Sequence, residues 1–566
     1  MKPSALALLA GLLLACLAHA QVPPKREFRG VWIATVNNID WPTYGDYAPE
    51  QQQEQFRGIL RQLQQSGINA LFVQVRPAAD AFYRSRYEPW SEWLTGKQGK
   101  APEPYYDPLA FMIEEAHRHN MELHAWVNPY RAVPNRHRAQ LDASHITKKK
   151  PHWFLEFGQL TLFDPGIPEA RDYISQVIAD IVEHYDVDGI HFDDYFYPYP
   201  SNEHRIADDA SYRKYGQGFK SKADWRRSNV DLLIEQVHST IKRINPRVKF
   251  GVSPYGVWRN ADMSAYGSET RSGLTSYDHL YADVRNWLEK GWIDYVVPQL
   301  YHHTKHKGKP FRKLVWWWAH NSFNRHLYIG HAAYRLFADP ESSWNDYREM
   351  PRQVRYLREF RQVMGSAYYS SKAILKNSGS FRDSLRREFY RYPALVPPMP
   401  WKDPVPPAAP PSLTAQATEQ GLLLRWTPPP PAADQEGAAR YVLYRFGKGQ
   451  AIDLQDPRHI VAIVPGGQQA FLDRQSKPEE APTYALTALD RLHNESEPTF
   501  FPAQPEQPDY TDVGEVLASV PKEKPFDAAQ PMKPGGTVTY AMASYFYRLA
   551  VRSSQAYVGV PEDGQP

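Results

Sequence analysis

A (β/α)8 barrel followed by a small all-β, immunoglobulin-like sandwich is the fold the sequence predicts, and three observations predict it. From Phe28 onward, short apolar and β-branched runs alternate with amphipathic stretches about eight times, the pattern of a parallel sheet with helices outside. Polar and aromatic residues gather just after these runs, where a barrel carries its working groups. Beyond a proline-rich spacer at Pro397–Pro411, the pattern changes to short alternating strands separated by turn residues. No glycine-rich phosphate loop follows the first run, which disfavours a dinucleotide fold.

The elements are then justified in turn. Gly30–Val36 is the first strand, and Pro49–Gln65 is a helix with Phe56, Ile59, Leu60 and Leu63 on one face, ended by Gly67. Ala70–Arg76 is the second strand, and Asp107-Pro108 opens the next helix in cap-then-proline order. Leu123–Asn128 is the third. A helix over Glu169–Tyr185 leads to the fourth, Val187–Phe192, with Asp188-Gly189 read as a turn at its start. Trp225–Ile244 is helical, and Lys249–Ser253 and Ile293–Pro298 are the next strands. Leu327–His331 and Gly365–Tyr369 complete the ring, which a helix around Phe381–Tyr390 closes. In the second domain Leu422–Trp426, Arg440–Phe446, Ile460–Val464 and Thr483–Leu489 read as strands of a sandwich that resembles a fibronectin type III module. Residues 27–395 thus form the barrel, 396–411 the linker, 412–501 the sandwich and 502–566 a largely irregular tail, in which Thr537–Val551 fits strand or helix.

Residues 1–20 read as a signal peptide: Lys2, an apolar run from Ala5 to Leu14, then small residues ending in Ala18-His19-Ala20. Leu13-Leu14-Ala15-Cys16 is an alternative, lipobox-like site that would remove 1–15 and leave a lipid anchor on Cys16. Cys16 is the one cysteine of the chain, so disulfides and cysteine-held zinc are excluded. An exported protein of the periplasm or outer membrane is expected from either site. A net charge of +3 and the lack of basic motifs exclude a highly basic nucleic-acid binder.

The fourth strand ends in Asp193 and Asp194. Alternation puts Ile190 and Phe192 on one face and His191 and Asp193 on the other. Adjacent carboxylates are costly to bury unless something uses them, so Asp193 is expected to face the barrel mouth with Asp194 beside it. Other strand ends supply Trp32, Arg76, Asp80, Asn128, Tyr130, Arg131, Tyr195, Tyr255, Trp258, Arg259, Gln299 and Tyr301. Rings of this kind stack on apolar sugar faces, while guanidinium, amide and carboxylate groups bind hydroxyls. Glycosidic cleavage requires one carboxyl acid and one carboxylate base or nucleophile. Asp193 is the candidate for the second role, and His191 for binding substrate or orienting Asp193. Proton-donor candidates are Asp80, Glu88, Asp194, Asp262 and Glu269. Glu88, before Pro89-Trp90, best fits the burial beside aromatics that raises a carboxyl pKa. His302, His303 and His306 lack a carboxylate at ligand spacing, so neither metal nor cofactor is expected. Lys148–Lys150 reads as a solvated loop, and Arg226 and Arg227 as partners of structural carboxylates.

Several segments, in one order, carry a family resemblance. They are Phe28-Arg29-Gly30-Val31-Trp32-Ile33, Gln74 to Tyr83, Tyr87-Glu88-Pro89-Trp90-Ser91 and His124 to Arg131. Asp188 to Pro198, Gly251 to Gly256 and Pro298-Gln299-Leu300-Tyr301 complete the set. From Phe28 to Tyr392 the chain resembles the bacterial glycosyl-hydrolase-like family that includes the envelope protein DigH. The resemblance implies an exported glycosidase-type barrel acting on glycan strands of peptidoglycan, in stretches stripped of stem peptides. Another envelope or extracellular polysaccharide, or a non-catalytic glycan-binding scaffold, are the alternatives. Asp188-Gly189-Ile190-His191-Phe192-Asp193 also resembles the fourth-strand segment of α-amylase-type barrels, in which the residue matching Asp193 is the nucleophile and the one matching His191 is an arginine. The sandwich is expected to position the enzyme against wall or partner, leaving cleavage of short soluble glycans to the barrel.

Overall fold

The computed structural model describes residues 23–502. The leader at 1–20, with Cys16, and nearly all of the 502–566 tail, with Thr537–Val551, lie outside the described residues. Eight parallel strands close into a barrel in chain order: β1 (Phe28–Ile33), β2 (Ala70–Arg76), β3 (Glu122–Val127), β4 (Gly189–Phe192), β5 (Lys249–Val252), β6 (Tyr295–Val296), β7 (His326–His331) and β8 (Val363–Tyr368). β8 returns to β1 through Phe28–Gly365 and three further pairs. The helix Pro49–Gln65 buries Phe56, Ile59, Leu60 and Leu63 against the outer face. Asp107 caps Pro108–Arg118 by accepting from Ala110 N at 3.2 Å. Among the described residues no helix is long and apolar enough to cross a membrane.

The barrel interior is filled rather than hollow. Phe28 stacks on Tyr328 at 3.9 Å and Phe72 on His191 at 4.1 Å, with Trp32, Trp126 and Tyr295 in the same apolar cluster. Two glycines make this filling fit. A Cβ at Gly189 would stand 2.3 Å from His124 Nδ1, and one at Gly251 would stand 2.2 Å from the Tyr295 ring. Gly189, read above as a turn residue, is therefore a strand residue whose missing side chain leaves room for His124.

After the linker come β9 (Ser412–Thr418), β10 (Gly421–Thr427), β11 (Arg440–Phe446), β12 (Ile460–Pro465), β13 (Ala470–Asp473), β14 (Thr483–Leu489) and β15 (Thr499–Phe501). They form antiparallel sheets ordered β9-β10-β13 and β12-β11-β14-β15. The turn between β14 and β15 meets the N-terminal end of the barrel. There Arg491 donates to the carbonyl of Val187 at 2.9 Å and His493 bonds Glu122 at 2.8 Å. The barrel and the sandwich belong to one compact unit.

Candidate active site

Asp193 follows β4 directly and points toward β3. Its Oδ2 accepts from Trp126 Nε1 at 3.0 Å and from Asn128 Nδ2 at 2.9 Å. Trp126 and Asn128 are two residues apart, so they share the inward face of β3. Asn128 is pinned from its other end, where its Oδ1 accepts from Arg131 N at 2.9 Å. Burial raises the Asp193 pKa; Arg131 and the bonds from Trp126, Tyr195 N and Asn128 oppose that rise. These donors favour the charged form of a carboxylate that is only 4% exposed.

Asp194 leans the other way, toward β6. It accepts a short bond from the Tyr199 hydroxyl and is further stabilised by the Gln299 amide at the end of β6. Burial first, and the Asp193 charge second, push its pKa up to about 6. One strand end thus carries two carboxyls in different surroundings, one braced by N–H donors and one holding its proton nearly to neutral pH. Such a division separates a proton donor from a charged partner.

Tyrosines rim the pair. Tyr195 is 39% exposed and lies under the Arg131 guanidinium, 5.2 Å from ring centre to carbon. Tyr301, Tyr334 and Tyr369 meet one another at centroid distances of 5.8–6.3 Å, and Tyr369 also approaches Trp32. Tyr255 receives a bond from Lys309 Nζ at 3.2 Å, and Gln299 donates to the Ser253 carbonyl at 2.9 Å. The rim offers partly exposed rings beside amide, guanidinium and carboxyl groups, which is what stacking on a sugar ring and bonding its hydroxyls require.

Other residues singled out from sequence stand elsewhere. His191 does not touch Asp193: it is fully buried and bonded to Trp32 Nε1 at 3.2 Å, Ser253 Oγ at 3.1 Å and Tyr295 at 3.2 Å. Burial holds its pKa well below the usual value, so it is a neutral part of the barrel filling that supports the site floor. Glu88 is not free to donate a proton. It grips Arg76 through both oxygens at 2.8 and 2.5 Å, and both side chains are wholly buried. Arg76 also donates to the Asn128 carbonyl, so the pair holds up the loop that carries Asn128.

Asp80 is buried in its own loop with Gln98 at 3.4 Å, and burial lifts its pKa to about 7. Tyr130 lies in the outer core. Trp258 is stacked on Trp317 and bonded to Asp283, and Arg259 is held by Asp278 at 2.9 Å. Glu269 is an exposed partner of Lys313. A cavity of about 700 Å³ lies at the far end of the barrel beside the sandwich; of the acids that line it, Asp188 is bonded to His117 at 2.8 Å and Asp186 pairs with Arg491.

Sequence reasoning missed Trp126, Tyr199, Tyr334 and Tyr369. Trp126 was legible, since strand alternation from Asn128 reaches it in one step. Tyr334 and Tyr369 follow β7 and β8, and only the closure of the ring brings them to Tyr301 and the side of Tyr195.

A family model described as Glycosyl hydrolase-like 10 matches residues 27–346. A Bacillus subtilis protein named glycosyl hydrolase YngK is 44% identical over 485 residues, which cover 85% of this chain and 93% of that one. The Escherichia coli K12 protein named glycosyl hydrolase DigH is 42% identical over 330 residues, 55% of this chain and 74% of that one.

Proposed function

The chain belongs to the glycosyl hydrolase-like 10 family and is a glycoside hydrolase, and from that premise we propose that it is exported and cleaves the glycan strands of peptidoglycan, in stretches without stem peptides. The observation that carries the reading is the pair Asp193 and Asp194, splayed toward opposite sides of a mouth rimmed by Tyr195, Tyr301, Tyr334 and Tyr369. In this reading Asp194 gives its proton to the glycosidic oxygen as the bond breaks. Asp193, charged and braced by Trp126 and Asn128, stabilises the positive charge that develops at the anomeric carbon; water entering from the open mouth then bonds that carbon, and the proton it gives up restores Asp194. Arg131 and Tyr195 bind the adjacent sugar, and the buried ring floor of Trp32 and Trp126 excludes water beneath it. The choice of peptidoglycan rests on the segments shared with an envelope family and on the leader-like residues 1–20, which also support placement in the periplasm or on the outer membrane through Cys16.

The test is to incubate the purified mature chain with intact sacculi, with amidase-treated sacculi and with a panel of other polysaccharides, and to identify soluble products by mass spectrometry. Release of oligosaccharides from the amidase-treated sample alone is expected. Release only from another polysaccharide would move the substrate and keep the enzyme class.

A further inference from the structure

Away from the mouth, carboxylates of the linker and the sandwich meet near the barrel floor. One oxygen each from Asp403, Asp434 and Glu436 lies within 4.8 Å of the others. Asp403 belongs to the linker, while Asp434 and Glu436 stand on the loop between β10 and β11. That loop is tight: Asp434 accepts from Glu436 N at 3.1 Å, and Ala432 N donates to the Glu436 carbonyl at 2.8 Å. Gathering three carboxylates raises their mutual repulsion, and among the described residues Arg247 offsets it only at Glu436, with which it pairs.

A second observation points into the same place. Asp403 is 7% exposed; its Oδ1 accepts from Val405 N, but its buried Oδ2 accepts no hydrogen bond. Asp490, 1% exposed on the turn after β14, likewise accepts from Asn494 N through Oδ1 and leaves Oδ2 buried and unbonded. Asp490 stands close enough to Asp403 for the two charges to act on each other. Buried carboxylate oxygens without donors are costly unless a cation takes them.

We propose that Asp403, Asp434 and Glu436, with Asp490 beside them, form a calcium site that fastens the linker and the sandwich together at the barrel floor. The donor set is oxygen only, with neither histidine nor cysteine in the group, which suits a hard cation. Oxygens around one calcium ion stand about 2.3–2.6 Å from it, so two of them can lie up to about 5 Å apart, a span within which the three carboxylate oxygens fall. Magnesium demands near-ideal octahedral geometry and dehydrates reluctantly, which carboxylates gathered from a linker and a separate loop suit less well than calcium's flexible shell. Calcium also accepts backbone carbonyls and waters to complete its shell, which suits a site with few side chains. The site is distinct from the catalytic mouth, and its occupancy is independent of which glycan is cut.

The experiment uses the mature full chain, stripped with a chelator and passed into metal-free buffer, with calcium chloride and magnesium chloride as probes. Calorimetric titration and thermal unfolding are read for wild type, Asp403→Asn and Glu436→Gln. Calcium is expected to raise the wild-type Tm by roughly 3–6 °C, magnesium by clearly less, and neither variant is to respond. Both amides are near-isosteric and are expected to fold: Asp403→Asn relieves repulsion and should melt at or above calcium-free wild type, while Glu436→Gln also loses the Arg247 ion pair and should melt somewhat lower. A wild type indifferent to calcium, a variant with the full calcium shift, or equal responses to calcium and magnesium would each overturn the assignment.

Discussion

Asp194 titrates near pH 6, because burial first and its neighbour Asp193 second push its pKa up. In its proposed role as proton donor it must be protonated, so kcat should fall as pH rises through about 6. Asp194→Asn should abolish that alkaline limb and lower kcat by about 10²–10⁴-fold, which rate profiles on both proteins would show. The same group costs stability. Folded Asp194 holds its proton more tightly than the unfolded chain does, so its contribution is fully present below about pH 4 and is lost as pH rises through about 6. Asp194→Asn never ionises; it should match wild type near pH 4 and exceed it near pH 8, by about 3 kcal/mol at most. Denaturant unfolding at the two pH values checks this. Glu88→Gln should behave in the opposite way. It leaves the buried Arg76 charge without its partner, lowering stability by about 3–5 kcal/mol while the pH profile of the folded enzyme keeps its shape. The contrast explains which site residues were legible. Asp193 and Asn128 follow from strand alternation and position alone. Glu88, Trp258 and Arg259 looked equally available because their partners Arg76, Asp283 and Asp278 are fixed by loop geometry that no local pattern encodes.

The strands were legible where their side chains are apolar on at least one face, as in Ala70–Arg76, Arg440–Phe446 and Thr483–Leu489, whose ends agree with the sequence pattern. β9 was not, since Ser412–Thr418 is small, polar and mostly solvent-facing, and β13 and β15 are too short to show a period. A different element had no signal at all: the turn after β14. Its His493 completes a ring of donors around Glu122, the first inward residue of β3, together with Lys249 and His124. Burial opposes ionisation of Glu122, but Lys249 and the bonds from His124 and His493 hold its carboxyl well below the usual range. Glu122 is therefore a buried charge that depends on the sandwich for one of its bonds. His493→Ala should cost about 1–3 kcal/mol of stability, measured by denaturant unfolding, and leave kcat on a soluble glycan unchanged, because the mouth lies at the other end of the strands.

At the scale of the whole molecule, these contacts change what the sandwich is for. The sequence presents it as a module on a stiff linker, expected to position a self-sufficient barrel. In the structure the sandwich and the first residues of the barrel are bonded into each other: Lys25 and Arg26 meet Glu495 at 2.7 and 3.2 Å, and Arg491 binds Asp186 and the Val187 carbonyl just before β4. The barrel floor is thus closed by side chains from beyond the linker, and β4, which carries Asp193, begins at one of those contacts. Removing residues 412–501 would leave the buried Lys25 without Glu495, take the His493 bond from Glu122 and free the start of β4. Each broken buried pair costs about 3–5 kcal/mol, and several together approach the whole stability of a domain. The truncated barrel should therefore unfold at a much lower temperature than the full chain, or fail to accumulate in soluble form, and should lose cleavage of short soluble glycans as well as of sacculi. Circular dichroism melts and a soluble-glycan assay on the truncated and full chains decide the matter. A truncated barrel that melts with the full chain and keeps its rate on short glycans would return the sandwich to a purely positioning role.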